Sequence, residues 1–155
     1  MNFSTREDVE APIDQVFDMV CEFETHERAA MRRGADVQRL DGLKAPGKGM
    51  KWRANFMMRG KERKVEIEVT TFDQPNELGL TSTSPGLEGT GQVQLIALSK
   101  TRTRLTLEFE VSATTLSARL LLQSLKLAKS TLNKRFKLRA AQYAKTLDDR
   151  YKAQA

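Results

Sequence analysis

Cysteine and histidine are nearly missing from this sequence: Cys21 and His26 are the only ones among 155 residues. One cysteine excludes an internal disulfide and any multi-cysteine zinc site. One histidine, five positions away in a charged segment, excludes most familiar metal constellations and makes a Ser-His-Asp arrangement improbable. Cys21 therefore reads as a small core residue and His26 as a surface one. No cofactor and no metal is expected. No stretch approaches the ~18–20 consecutive apolar residues of a membrane span. The opening MNFSTREDVE carries early acids and no apolar signal segment, so the expected location is cytoplasmic. With 39% hydrophobic and 30% charged residues, the chain reads as one globular domain over 1–155.

Positive charge is plentiful but confined. From Arg119 to Lys152 ten Lys or Arg face only Asp148 and Asp149, so the whole formal excess of +6 belongs to the C-terminal segment. Such a patch suits phosphate neutralisation. Nucleic-acid binding is nevertheless disfavoured, because Phe136 and Tyr143 belong to an apolar stripe and leave only Tyr151 as an exposed aromatic for stacking.

Periodicity supplies the architecture. A strand runs to Val9 and passes through Ala11-Pro12 into a short helix, where Ile13, Val16, Phe17 and Val20 recur at helical spacing. Residues 22–33 form a second short helix, acids leading and arginines trailing as the dipole favours. A short strand over 35–41 and a loop over 42–49 follow. Strands over 50–58, 64–72, 77–84, 91–98 and 103–111 then make an antiparallel meander. Val65, Ile67 and Val69, like Leu105, Leu107, Phe109 and Val111, fall on one face, so one side of the sheet needs a cover. The cover is the segment from Thr115 to Arg150, free of Gly and Pro, whose stripe runs Ala118, Leu121, Leu125, Ala128, Leu132, Phe136, Ala140, Tyr143, Leu147. As one helix it would be about 54 Å long, longer than the sheet. It should overhang or end early.

Two glycine-rich stretches mimic nucleotide loops. GLKAPGKG, 42–49, lacks the hydroxyl and the following helix that a phosphate loop needs. GLEGTG, 86–91, fails the dinucleotide fingerprint and reads as a hairpin connection.

The order of elements resembles the helix-grip fold of the START-like superfamily, also called SRPBCC or the polyketide cyclase and lipid-transport group. The residues that carry the resemblance are VEAPIDQVFDMV, GKGMKWRANF, the corner from Phe72 to Leu78, Thr103-Arg104-Leu105-Thr106 and the Leu-rich start of the last helix. It implies an α+β domain: a curved antiparallel sheet of about six to seven strands wrapped on a long C-terminal helix, with two short helices after the first strand. It also implies a deep apolar cavity between sheet and helix. Lipid carriers, hormone receptors, cyclases, chaperone co-activators and ring hydroxylase domains share that fold, so fold does not select among them.

The candidate ligand-binding residues are Trp52, Phe56, Val69, Leu95, Leu107 and Phe109 from the sheet and Leu121, Ser124, Leu125 and Ala128 from the helix, with Glu7 as a polar handle. Trp52, Ala54, Phe56 and Met58 share a parity that serves a ligand cavity or a filled core equally. The expected function is binding or transport of a small to medium apolar, lipid- or polyketide-like molecule. The enzyme alternative is a cyclase or aromatase-like activity in which Glu7, its pKa raised in an apolar setting, assists. No catalytic residue is assigned. A third alternative is an interaction module acting through the basic helix. Leu116, Leu120, Leu127 and Leu138 fall nearly opposite Leu125 on that helix, with Lys134 and Lys145 in the same sector. They offer a contact surface for a second copy of the chain or for an anionic membrane.

Overall fold

The computed structural model describes residues 1–154. In chain order the elements are β1 (Asn2–Val9), α1 (Ile13–Val20), α2 (Phe23–Arg32), β2 (Asp36–Arg39), β3 (Lys51–Met58), β4 (Lys61–Asp73), β5 (Glu77–Ser84), β6 (Leu87–Ser99), β7 (Arg102–Ala113), α3 (Leu116–Lys126) and α4 (Lys129–Gln154). The strands form one antiparallel sheet ordered β1-β7-β6-β5-β4-β3-β2. The first strand thus pairs with the last, and Phe3 lies opposite Phe109, Glu7 opposite Leu105 and Val9 opposite Thr103. Register shifts at Val69/Thr71 and at Ala97/Ser99 mark bulges, which bend the strands that carry them. At the first of these Gly79 lies so close to Thr71 that a Cβ would stand 2.9 Å from its Cβ. The sheet curls around α3 and α4 in the expected helix grip.

The junction of β1 and α1 is locked from both sides. Pro12 stands before the first turn in an extended conformation, and its carbonyl accepts from the Val16 N–H at 3.0 Å. The Thr103 hydroxyl, the one fully buried polar side chain among the described residues, donates to the Ala11 carbonyl at 2.8 Å and is so satisfied. Phe17 and Val16 then reach the core, where Phe17 meets Phe72 edge-on at 5.3 Å.

Three expectations need correction. The C-terminal stripe is not one helix: the hydrogen-bond ladder is interrupted at Leu127 and Ala128, where the Ala128 N–H bonds back only three residues to the Leu125 carbonyl. Neither residue is Gly or Pro, so local propensity does not mark the break. It follows the support instead, since α3 packs on β7 and α4 runs along β1. The hairpin connection over 86–91 is also shorter than expected. Only Pro85 and Gly86 turn, and Gly86 has φ 82° and leaves room for the Thr115 hydroxyl that caps α3, which an added Cβ would approach to 2.6 Å. Gly89 and Gly91 belong to β6. Third, β4 starts at Lys61 rather than Lys64, because Arg59 and Gly60, both with positive φ, complete the turn before it.

Candidate functional site

The concave face is covered unevenly. Under α1 and the second half of α4, Val9, Val16, Phe17, Val69, Leu105 and Leu147 are essentially sealed from solvent. Under α3 and the start of α4 the face stays open, and a cavity of about 560 Å³ remains. Its floor is Phe3, Phe56, Met58, Val65, Gly89, Phe109 and Val111, and its roof is Leu121, Leu122, Leu125, Leu132 and Phe136. Phe3 and Phe136 meet across it with ring centroids 5.7 Å apart. Phe109, an inward aromatic in the middle of the last strand, is still 41% exposed. Small inward residues explain the room: Ser82, Gly89 and Ser84 stand where larger residues would close the gap. At Gly89 an added Cβ would lie 2.4 Å from the Ser82 hydroxyl, so a larger residue there would have to displace that side chain.

Beside this cavity a polar contact ties the β3–β4 turn to α3. Arg59, at the tip of the β3–β4 turn, donates to the Ser124 hydroxyl at 3.1 Å, and that hydroxyl donates in turn to the Leu121 carbonyl at 2.8 Å.

A second, smaller cavity of about 320 Å³ lies between α2, Tyr143 of α4 and the far part of the sheet. Trp52 lines it, packed on Phe23 at 5.3 Å, and its indole N–H donates to the Glu27 carboxylate at 2.6 Å. His26 donates through Nε2 to the Val20 carbonyl at 2.8 Å and stacks near Tyr143. Burial raises the Tyr143 phenol well above the ordinary tyrosine range, with the Arg150 charge opposing the shift. Burial also pushes the Cys21 thiol up to about 12, aided by the Asp18 charge.

The structure distributes the candidate residues among these places. Phe56, Phe109, Leu121 and Leu125 come together around the larger cavity, and Trp52 lines the smaller one. Val69 and Leu95 are buried in the packed end, where α1 closes over the sheet, and Leu107 packs against the same cluster. Ser124 is an exposed residue bound to Arg59. Ala128 is exposed because it falls at the helix break. Glu7 faces inward, half-buried on β1, and lines neither of the two cavities. Sequence reasoning missed Phe3, Phe136 and the inward arginine Arg63, although the parity shared by Arg63, Val65 and Ile67 was a signal for the last.

No protein-family model matches the sequence, and no curated protein matches it significantly. Solved structures do match. A protein of Thermus thermophilus is 16% identical and superposes with a TM-score of 0.67 over 100% of this chain and 99% of its own. A START superfamily protein of Mycobacterium smegmatis is 13% identical, with a TM-score of 0.57 over 86% of this chain and 95% of its own. The chain has the START-like helix-grip fold. An aromatase/cyclase from a Streptomyces species shares it at 16% identity and a TM-score of 0.56, over 74% of this chain and 69% of its own. At these identities the START-like likeness concerns the fold. Among the described residues no helix is long and apolar enough to cross a membrane, and no group of His, Cys, Asp and Glu is arranged to hold a metal.

Proposed function

We propose that the protein binds, and by binding carries, a small to medium apolar molecule in the 560 Å³ cavity beneath α3. The observation that carries this reading is Phe109, which keeps 41% of its surface exposed on the inner face, where a filled grip would bury it. Apolar surface held open in this way is a standing cost that an apolar occupant removes. The cyclase alternative has less support, because Glu7 lies outside the cavity walls and the one carboxylate in them, Glu88, is exposed to water. Titration with the neutral dye Nile red tests the reading. Saturable binding of one dye per chain, competed by dodecanol and weakened about tenfold by Leu125→Lys, is the expected result. Binding that does not saturate, or that ignores the substitution, would overturn it.

An anionic membrane surface is the partner that the outer face of α3 fits. Leu116 and Leu120 are 73% and 58% exposed, and Leu127, at the helix break, is 92% exposed. Arg119, Lys126 and Lys129 flank them in the sequence, and no acidic residue occurs between Glu110 and Asp148. Leu138, 59% exposed, lies beyond the break on α4. Apolar side chains ringed by cations suit an interface that is apolar inside and negative outside. The protein should therefore sediment with vesicles of phosphatidylcholine and phosphatidylglycerol, less so at high salt, and not with phosphatidylcholine alone. A salt-insensitive dimer with no vesicle binding would assign the leucines to a second copy instead.

A further inference from the structure

The larger cavity is mainly apolar, with Ser82 and Ser84 in its floor, and its charged side chains are mostly of one type: Arg63, Arg135 and Arg139, with Glu88 the one acid. Arg63 sits on the inner face of β4. Its partner across the ladder is Phe56, and its neighbour along that face is Val65, both of which line the cavity. Its Nε is shut off from water and has no hydrogen-bond partner. Arg135 and Arg139 are one helical turn apart on α4, so they present their guanidinium groups from one side. Among the described residues none of the three arginines is in an ion pair. Glu88 is exposed and is likewise unpaired.

A buried donor without an acceptor carries the full cost of its lost hydration. Sheet residues that face a core seldom include arginine for that reason; of the outward arginines of this sheet, Arg53 has Glu66, Arg102 and Arg104 have Asp8, and Arg6 is exposed to water. Arg63 differs in facing the cavity. We infer that the acceptor arrives with the ligand, so that the molecule bound here is an acidic amphiphile, a long-chain carboxylate. Its apolar body lies against Phe109, Leu125 and Phe136, and its carboxylate pairs with the terminal Nη groups of the Arg63 guanidinium, since Nε is sealed off. A planar guanidinium matches a carboxylate with two parallel N–H bonds, which an alcohol or an amine does not offer. Arg135 and Arg139 add positive potential at the same wall and steer an anion inward. This inference rests on the larger cavity being the binding site.

Displacement of Nile red by dodecanoate, dodecanol and dodecyl phosphate, each below its micelle concentration, tests it. Dodecanoate should displace the dye at a concentration about tenfold lower than dodecanol. Arg63→Met, which keeps the apolar stem and removes every donor, should erase that advantage while leaving dodecanol within about twofold. Should Arg63→Met fail to fold, Arg63→Lys keeps the charge without the fork and should lower the preference for dodecanoate only partly. Arg135→Gln with Arg139→Gln should reduce the preference less than Arg63→Met and flatten its dependence on salt. Equal displacement by dodecanoate and dodecanol in the unaltered protein would overturn the inference and leave the cavity reading standing. A preference for dodecyl phosphate over dodecanoate would overturn the carboxylate assignment. Saturable dye binding that no alkyl compound displaces would overturn the cavity reading and the inference with it.

Discussion

The two ends of the concave face are built on the same alternation and finished differently. Along the middle of β6 the inward positions run Leu95, Val93, Gly91, Gly89, a steady loss of side chain before Leu87 at the strand's start. Over Leu95 and its partner Leu105 lie α1 and the second half of α4, and both leucines are buried. Over Gly89 lie only α3 and the start of α4, and the walls there are half exposed. Alternation says which face of a strand turns inward. Side-chain volume along that face, together with the number of layers above it, says whether the inside is full.

Leucine truncation should separate the two ends by the largest margin. Leu105 is 0% exposed, so Leu105→Ala removes packed volume and should cost about 2–5 kcal/mol in urea unfolding. Leu125, half-buried on the cavity wall, already has open space beside it, and Leu125→Ala should cost at most about 1 kcal/mol. Equal costs would mean that the cavity end is packed in solution, and the contrast between the ends would dissolve.

The glycines of β6 give a smaller and opposite pair of effects. At Gly91 an added Cβ meets only the Phe109 ring edge at 3.7 Å, an ordinary contact. Gly91→Val should therefore stabilise the strand by about 0.5–1 kcal/mol, since glycine is costly inside a strand. At Gly89 the same atom would meet the Ser82 hydroxyl at 2.4 Å, and Gly89→Val should destabilise by about 1–3 kcal/mol. Thermal melting of both variants checks the signs. A double variant with Ser82→Ala should recover part of the Gly89→Val loss.

Those glycines show where the sequence was legible and where it was not. The strands from Lys51 to Ala113 and the two short helices follow from period and turn residues, and the structure places them within a few residues of expectation. GLEGTG misled because glycine is usually a turn former, whereas here only Gly86 turns and Gly89 and Gly91 make room between strands. The break at Leu127 and Ala128 left no mark, because it answers to the sheet beneath the helix and not to the two residues in it. For the site, parity selected Phe56, Phe109, Leu121 and Leu125, which do share a cavity. The same parity selected Val69 and Leu95, which do not, since parity cannot see that α1 lies above them.

Acid should act through the loop that leads into the packed end. The Asp41 carboxylate accepts from Arg39 at 2.9 and 3.0 Å, from the Lys51 N–H at 2.8 Å and from the Leu43 N–H at 2.9 Å. The Arg39 hydrogen bonds first, then that of Lys51, hold it well below the ordinary carboxylate range. A depressed carboxylate stabilises the fold fully above its unfolded pKa of about 3.9 and loses that contribution as pH falls through the folded value. Asp41→Asn should thus lower the melting temperature at pH 7, and its deficit should shrink steadily below about pH 4. A deficit independent of pH would assign the role of Asp41 to shape and not to charge.

The smallest effect expected is no reaction at all, and it is the sharpest probe of the packed end. Cys21 is 8% exposed, and burial has pushed its thiol up to about 12. The thiolate is the species that attacks a disulfide reagent, and a thiol raised this far stays almost wholly protonated at pH 8. Native protein should therefore leave an aromatic disulfide reagent unreacted, and labelling should rise with urea in step with global unfolding, because α1 and the core must part before Cys21 is reached. The open end supplies the control. With Cys21→Ala in place, Leu122→Cys puts a thiol on the half-buried cavity wall, where reaction should be prompt and slowed by dodecanol. If Cys21 instead reacts in native buffer as fast as the cavity thiol, the packed end opens locally as readily as the cavity does. The two ends would then differ in their average packing and not in their stability.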